Sequence, residues 1–237
     1  AVGAWVGVAW RNARQRAARG LAHGAEGAVF GQQAFHDVEH GLMQRHVDDL
    51  AGTAVHQLSK QGIDAVIPNI SQAALSGNVD AVFLTANQGA VLPYLTDKLA
   101  DAGVTSASVQ MMGLTRWDQP SARLQLRGTQ GGWFAIPDTA MKAQFEQRYR
   151  AAHGETPHEL ASLGYDGVAA IAALVRAGKR NALTTAGLTQ NAGFAGIGGA
   201  FRLRRDGTNE RALAVATIRS NQVVVLDPAP RSFGGFG

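Results

Sequence analysis

The sequence predicts a layered α/β fold, with a parallel sheet flanked by helices, and three observations predict it. Asp80-Ala-Val-Phe-Leu-Thr85 is a continuous apolar run of strand length, the pattern of a strand buried on both faces. Leu92, Leu95 and Leu99 then recur at helical spacing, and Gly103 ends that helix. Val109-Gln-Met-Met-Gly113 follows as a second apolar run, so strand, helix and strand succeed one another through short loops. That order is a βαβ unit, which requires parallel strands and a right-handed crossover.

The chain has 237 residues, enough for one large domain or two small lobes. Its 46% hydrophobic content is ordinary for a globular protein with a core, and its 17% charged residues are few. The net charge of +4 is small and spread along the chain, so no nucleic-acid partner is expected. There is no cysteine, which excludes disulfides and thiolate chemistry. No apolar run approaches the ~20 residues of a spanning helix. Ala1 to Trp10 is apolar without a basic leader, and reads as a strand rather than a secretion signal.

The remaining elements follow in order. Residues 1–57 are rich in Ala, Gly, Arg and His; Val6, Val8 and Trp10 suit a short strand, and Arg11 to Arg19 an exposed basic helix. Ile63 to Pro68 is a short apolar run that the proline should end. Leu114 to Gly131 is an irregular link, and Gly132-Trp-Phe-Ala-Ile136 a third strand. Asp138 is an N-cap for a helix running to about Ala152, with Phe145 and Tyr149 one turn apart on one face. His153-Gly154 stops this helix and Pro157 prevents its resumption. Residues 160–177 form a strongly apolar, alanine-rich helix, and a short helix follows near Thr184 to Leu188. Ala200 to Arg204 alternates in and out, Asp206-Gly207 is a hairpin turn, and 212–218 and 223–226 are strands joined at Ser220-Asn221.

Two motifs invite catalysis and neither assembles a site. His36-Asp-Val-Glu-His40 has the H-x-x-E-H spacing of inverted zinc proteases, but no third ligand is identifiable and a polar helix face explains it. The glycines of 193–199 do not lie between a strand and a helix N-terminus, so they read as a connector and not a phosphate loop. Glu159 and Asp166 make a conceivable acid pair, equally explained as cap and surface residues. No nucleophile, base and oxyanion donor come together, so no enzyme, metal or cofactor is expected.

Topology offers a better site. Ligands of open parallel sheets sit beyond the carboxyl ends of the strands. There the sequence places Asn87 and Gln88, then Arg116, Trp117 and Asp118, then Asp138: amides, a cation, an aromatic ring and two acids. The same residues also read as a turn (Asn87), a lid over the core (Trp117) and a cap (Asp138).

From about Asp80 to Ser232 the chain resembles the type I periplasmic-binding-protein fold of the leucine/isoleucine/valine-binding class. The resemblance is carried by the three apolar runs above, then by Phe145-Glu-Gln-Arg-Tyr149, Gly154-Glu-Thr-Pro157, Tyr165-Asp166 and Gly196 to Gly207, in that order. The Leu114-Thr-Arg-Trp-Asp118 loop, Gly131-Gly-Trp-Phe-Ala135, Asn209-Glu-Arg211 and the ending Val225 to Phe233 look closest to the penicillin-binding protein activators. The resemblance implies a two-lobed, non-catalytic protein of the bacterial envelope, periplasmic or attached to the outer membrane on its periplasmic side. It implies either a peptidoglycan synthase as partner or a small amino-acid-like ligand. Amino-acid-binding members hold the ligand ammonium with an acid just after the third strand, where this chain has Ile136-Pro137 and then Asp138. The expected second lobe spans 58–152 and 205–233, and 153–204 returns to a first lobe. Residues 1–57 are too few for a whole first lobe, so that lobe is expected to be incomplete, its helix at 160–177 left with an apolar face for a partner or another copy to cover.

Overall fold

The computed structural model describes residues 3–10, 50–57, 59–77, 79–84, 91–113, 117–158, 160–178 and 183–233, the first two segments by their backbone. The basic run 11–19 and the His36/His40 pair lie outside the described residues. Contacts gather the described chain into two compact units. One holds the strands of the first 57 residues, 59–135 and 215–227; the other holds 136–214 and 228–233. These cuts fall between 135 and 136 and between 214 and 215, whereas the sequence suggested 152/153 and 204/205.

The first unit is built on a seven-stranded sheet. Its strands are β1 (Gly3–Trp10), β2 (Leu50–Gln57), β3 (Ala81–Leu84), β4 (Gln110–Gly113), β5 (Trp133–Ile136), β8 (Ala214–Arg219) and β9 (Gln222–Asp227), in the spatial order β2-β1-β3-β4-β5-β8-β9. The three strands expected to be parallel neighbours are so: Ala81 pairs with Gln110 and Leu84 with Gly113, and Met112 pairs with Trp133. Antiparallel strands flank this centre, β1 against both β2 and β3 on one side and β8 against β9 on the other. The fold is thus α/β with a parallel core. β2 went unrecognised in the sequence, where Leu50–Gln57 mixes glycine, threonine and histidine with its apolar residues.

Side chains sort by the period of two. Val82, Leu84, Met111 and Phe134 are buried on one face, while Ala81, Met112 and Val215 form a cluster with Phe83 and Trp133 on the other. The helix α1 (Lys60–Leu75) corrects the reading of Pro68 as a terminator, because Pro68 lies inside it. Ile63, Ile70 and Ala74 anchor the opposite, buried side, and Ser59 caps the start by accepting from the Gly62 N–H at 3.0 Å. Pro68 and Asp64 are both exposed, so the i→i−4 bond that the proline removes is lost on the solvent side of the helix. The next helix, α2 (Val91–Asp101), buries Leu92, Leu95 and Leu99 completely. It ends as expected at Gly103, whose φ is +82°, with the Gly103 N–H on the Ala100 carbonyl (3.0 Å) and the Val104 N–H on the Leu99 carbonyl (2.8 Å).

Four further elements belong to the second unit: α3 (Thr139–His153), α4 (Ala161–Arg176), α5 (Thr185–Leu188) and the hairpin of β6 (Phe201–Leu203) with β7 (Asn209–Arg211). The sequence suggested one strand over 212–218. Instead Asn209–Arg211 returns along β6 and a separate strand starts at Ala214, so Ala212 and Leu213 are a link. Ala170, Leu174, Phe194 and Phe201 make the core of this unit, with Leu188 against it. Two buried carboxylates stitch its connections. Asp166 on α4 accepts from the Ile197 N–H (2.7 Å) and from Nη1 of Arg211 (2.8 Å), whose guanidinium lies 4.9 Å from the Phe201 ring centre. Glu210 is buried between Arg202 and Arg204.

Two substitutions test this packing. A Cβ at Gly128 would overlap the Thr96 backbone carbonyl on α2, so Gly128→Ala is expected to cost about 1–3 kcal/mol through forced overpacking. Asp166→Ala strands the Arg211 guanidinium and the Ile197 N–H inside the unit, for an expected loss of about 3–5 kcal/mol. Urea unfolding followed by circular dichroism reads both, and an Asp166→Ala protein as stable as the parent would refute the role given to that carboxylate.

Candidate functional site

Asn87, Gln88 and Arg116 lie outside the described residues, so the structure places three of the six predicted site residues. Trp117 and Asp118 follow β4 in the first unit. Asp138 belongs to the second unit and opens α3.

Trp117 is fully buried, and its ring stacks on Phe134 with centroids 6.0 Å apart and planes at 24°. Strand geometry explains why it fits. Gly113 ends β4 and Gly132 precedes β5, on the face that carries Met111 and Phe134. A Cβ at Gly113 would overlap the indole, and one at Gly132 would lie 2.6 Å from its Cζ3. The two glycines therefore leave a hollow in the sheet face, and the indole returns from the following turn to fill it. The ring has no exposed face in this structure against which a solute could stack. Its Nε1–H has no acceptor among the described residues. Asp118, next along the turn, is partly exposed.

Asp138 acts on the backbone. Its Oδ1 accepts from the Met141 N–H at 2.9 Å, satisfying one of the free amides that begin α3. The Asp138 N–H in turn donates to the Gly198 carbonyl at 3.3 Å. Asp166, a surface residue in the sequence reading, is instead buried and shared between Ile197 and Arg211. Glycines make room for that contact, since a Cβ at Gly196 would lie 2.6 Å from Oδ2 of Asp166.

The second unit also carries a concavity that the sequence reading did not propose. Its volume is about 210 Å³. Phe145, Tyr149 and Tyr165 wall it, with Phe145 5.5 Å from Tyr165 and 6.0 Å from Tyr149 between ring centroids. Arg148 and His153 stand at its rim, and His153 packs 4.4 Å from the Tyr149 ring. The signal was present in the spacing of Phe145 and Tyr149. What was missing was the tertiary fact that Tyr165 approaches them from α4. The site is mainly apolar, with the guanidinium of Arg148 as its cation. Among the described residues, no cluster of three His, Asp or Glu is arranged to hold a metal.

No curated protein matches the sequence. Solved structures do. The extracellular ligand binding receptor from Desulfohalobium retbaense matches 81% of this chain and 34% of its own, at 14% identity and a TM-score of 0.51. Full-length LpoA from Haemophilus influenzae matches 83% of this chain and 34% of its own, at 13% identity and a TM-score of 0.51. The leucine binding protein LivK from Thermotoga maritima matches 69% and 48%, at 17% identity and a TM-score of 0.45. The chain thus spans between a third and a half of the length of these proteins, and at such identities the likeness is one of fold. A family model described as periplasmic binding protein matches residues 3–222. The chain belongs to that family.

Proposed function

We propose that this protein is a non-catalytic binding protein of the bacterial envelope, periplasmic or held on the periplasmic side of the outer membrane, and that it recognises a protein partner in the control of peptidoglycan synthesis. The observation that carries this reading is the employment of its carboxylates. An amino-acid solute brings an ammonium group, and a desolvated ammonium needs a carboxylate beside it. Asp138, the acid nearest the position used for that purpose, caps α3, and Asp166 is committed to Arg211 and Ile197. The enclosed Trp117 likewise supports recognition by an outer surface over stacking on a small solute. LpoA, whose C-domain is described as a regulator of PBP1A, has the same fold, in keeping with a protein partner. Asn87, Gln88, Arg116 and Asp118, in the loops after β3 and β4, are the contact residues in this reading, with Trp117 holding the second loop in place.

One observation favours a second reading, the solute-binding component of an importer for branched-chain or related amino acids. The concavity between Phe145, Tyr149 and Tyr165 is of small-ligand size, and Arg148 at its rim suits a carboxylate.

Binding of the full chain to purified peptidoglycan synthases tests the first reading. Micromolar association is expected, weakened about tenfold, or about 1.4 kcal/mol, in an Arg116→Ala, Asp118→Ala double variant. No association with any synthase at tens of micromolar would sink it. A panel of the twenty amino acids in a thermal-shift assay tests the second. A ligand at 100 times its Kd would add about 2.7 kcal/mol of stability. The expected result is an unmoved melting temperature.

A further inference from the structure

We propose that the outward face of α4 is a homodimer interface, on which a second copy of this chain packs its own α4 in antiparallel fashion. The helix buries Asp166, Ala170 and Leu174 on one side. Its other side carries Tyr165, Val168, Ile171 and Val175, which are 50%, 69%, 46% and 56% exposed. A helix apolar on every side belongs in an interior, and on this one Val168, Ile171 and Val175 stay largely exposed, with Tyr165 at their edge half covered by Phe145 of α3.

Two glycines make the case for a close neighbour. Gly164 and Gly167 lie within α4, where glycine is disfavoured relative to alanine, and neither adopts positive φ. A Cβ at either would meet nothing within 4 Å, so nothing inside the described protein requires them. A backbone approaching from outside would.

The distribution of bulk along the face selects a second copy. The stripe begins with the small Ala161 and Gly164 beside Tyr165, has Val168 at its middle, and continues with Ile171, Ala172 and Val175. An antiparallel pair centred on Val168 sets Val175 of each copy over Ala161 of the other at both ends, Ala172 over Gly164, and Ile171 against the Tyr165 ring. Each copy supplies both knob and hollow, as a two-fold interface requires. Charge agrees. From Leu160 to Val175 the only charged residue is the buried Asp166. Arg176 of each copy is brought to the amino-terminal end of the other helix, just after Glu155 and Glu159 in sequence. The four exposed side chains and Leu160 leave on the order of 400–500 Å² of apolar surface, the size of a patch that marks an interaction site. Two such faces approach the ~1,000 Å² of a specific interface.

Sedimentation equilibrium of the full chain at micromolar concentration is expected to give a mass near twice its 24.9 kDa. Val168→Glu, at a well-exposed position, is expected to return it to monomer with an unchanged circular dichroism spectrum. Because the chain has no cysteine, the single thiol of Val168→Cys, once converted by oxidised glutathione to a mixed disulfide, can form a protein–protein disulfide only by attack of the thiolate of another copy, which releases glutathione. Under oxidised glutathione it is expected to crosslink at least tenfold faster than Gln147→Cys, an exposed position on α3. This arm stands even if the glutamate variant unfolds. A monomer at every concentration, equal crosslinking by the two cysteine variants, or a dimer that survives Val168→Glu through another surface such as β9 would each overturn the assignment.

Discussion

A sheet face must be filled, and in the first unit the filling depends on a trade between two glycines and one indole. Gly113, level with Phe134, and Gly132, two residues before Phe134, present no side chain on the same face of the sheet. Trp117 restores the lost volume from the next turn and stacks on Phe134, which is equally buried. Interiors tolerate little void, so this substitution of one large ring for two absent side chains fixes where the chain must turn after β4. Asp118 therefore follows directly on a packed side chain.

The second unit solves a different problem, the routing of an irregular, glycine-rich connector over residues 190–200. Apolar packing alone gives such a segment no direction. Asp166 supplies it by taking the Ile197 amide and the Arg211 guanidinium at once, with Gly196 leaving space for the carboxylate. A buried charge of this kind contributes little net stability once its desolvation is counted, but an unpaired one is strongly unfavourable, so alternatives to this routing are excluded. The same employment takes Asp166 out of the chemistry of any ligand, which ties the fold to the functional reading.

How much was legible in the sequence follows from where each signal resides. The parallel trio β3, β4 and β5 was legible because strands buried on both faces are written as short unbroken apolar runs. The caps at Asp138, Gly103 and Gly154 were legible because their chemistry is local. So was the Ser220-Asn221 turn, with φ of 50° and 61°. β2 was not, since a strand beside an antiparallel neighbour need carry no continuous apolar run. Pro68 misled because its effect depends on which way the residue points, and it points to solvent. Of the site, Trp117 was recognised as important and its two possible roles were both stated. Only the approach of Gly113 and Gly132 to the indole separates them, and that approach is a tertiary fact.

α3 shows the limit of the local argument from the other side. None of its fifteen residues is buried, yet its boundaries were among those best read from the sequence. Its stability rests on short-range terms: the Asp138 cap, the left-handed Gly154 with its N–H on the Arg150 carbonyl at 2.8 Å, and the Lys142, Glu146, Arg150 series at i, i+4 spacing. Caps contribute about 1 kcal/mol and exposed pairs a few tenths each, which is little for a fifteen-residue helix in water. The contact of Phe145 with Tyr165 is what turns a marginal segment into part of the unit. The aromatic concavity is thus first a joint between α3 and α4. Any ligand that entered it would compete with the contact that holds α3 in place, and this physical conflict weighs for recognition through surfaces over recognition within that hollow.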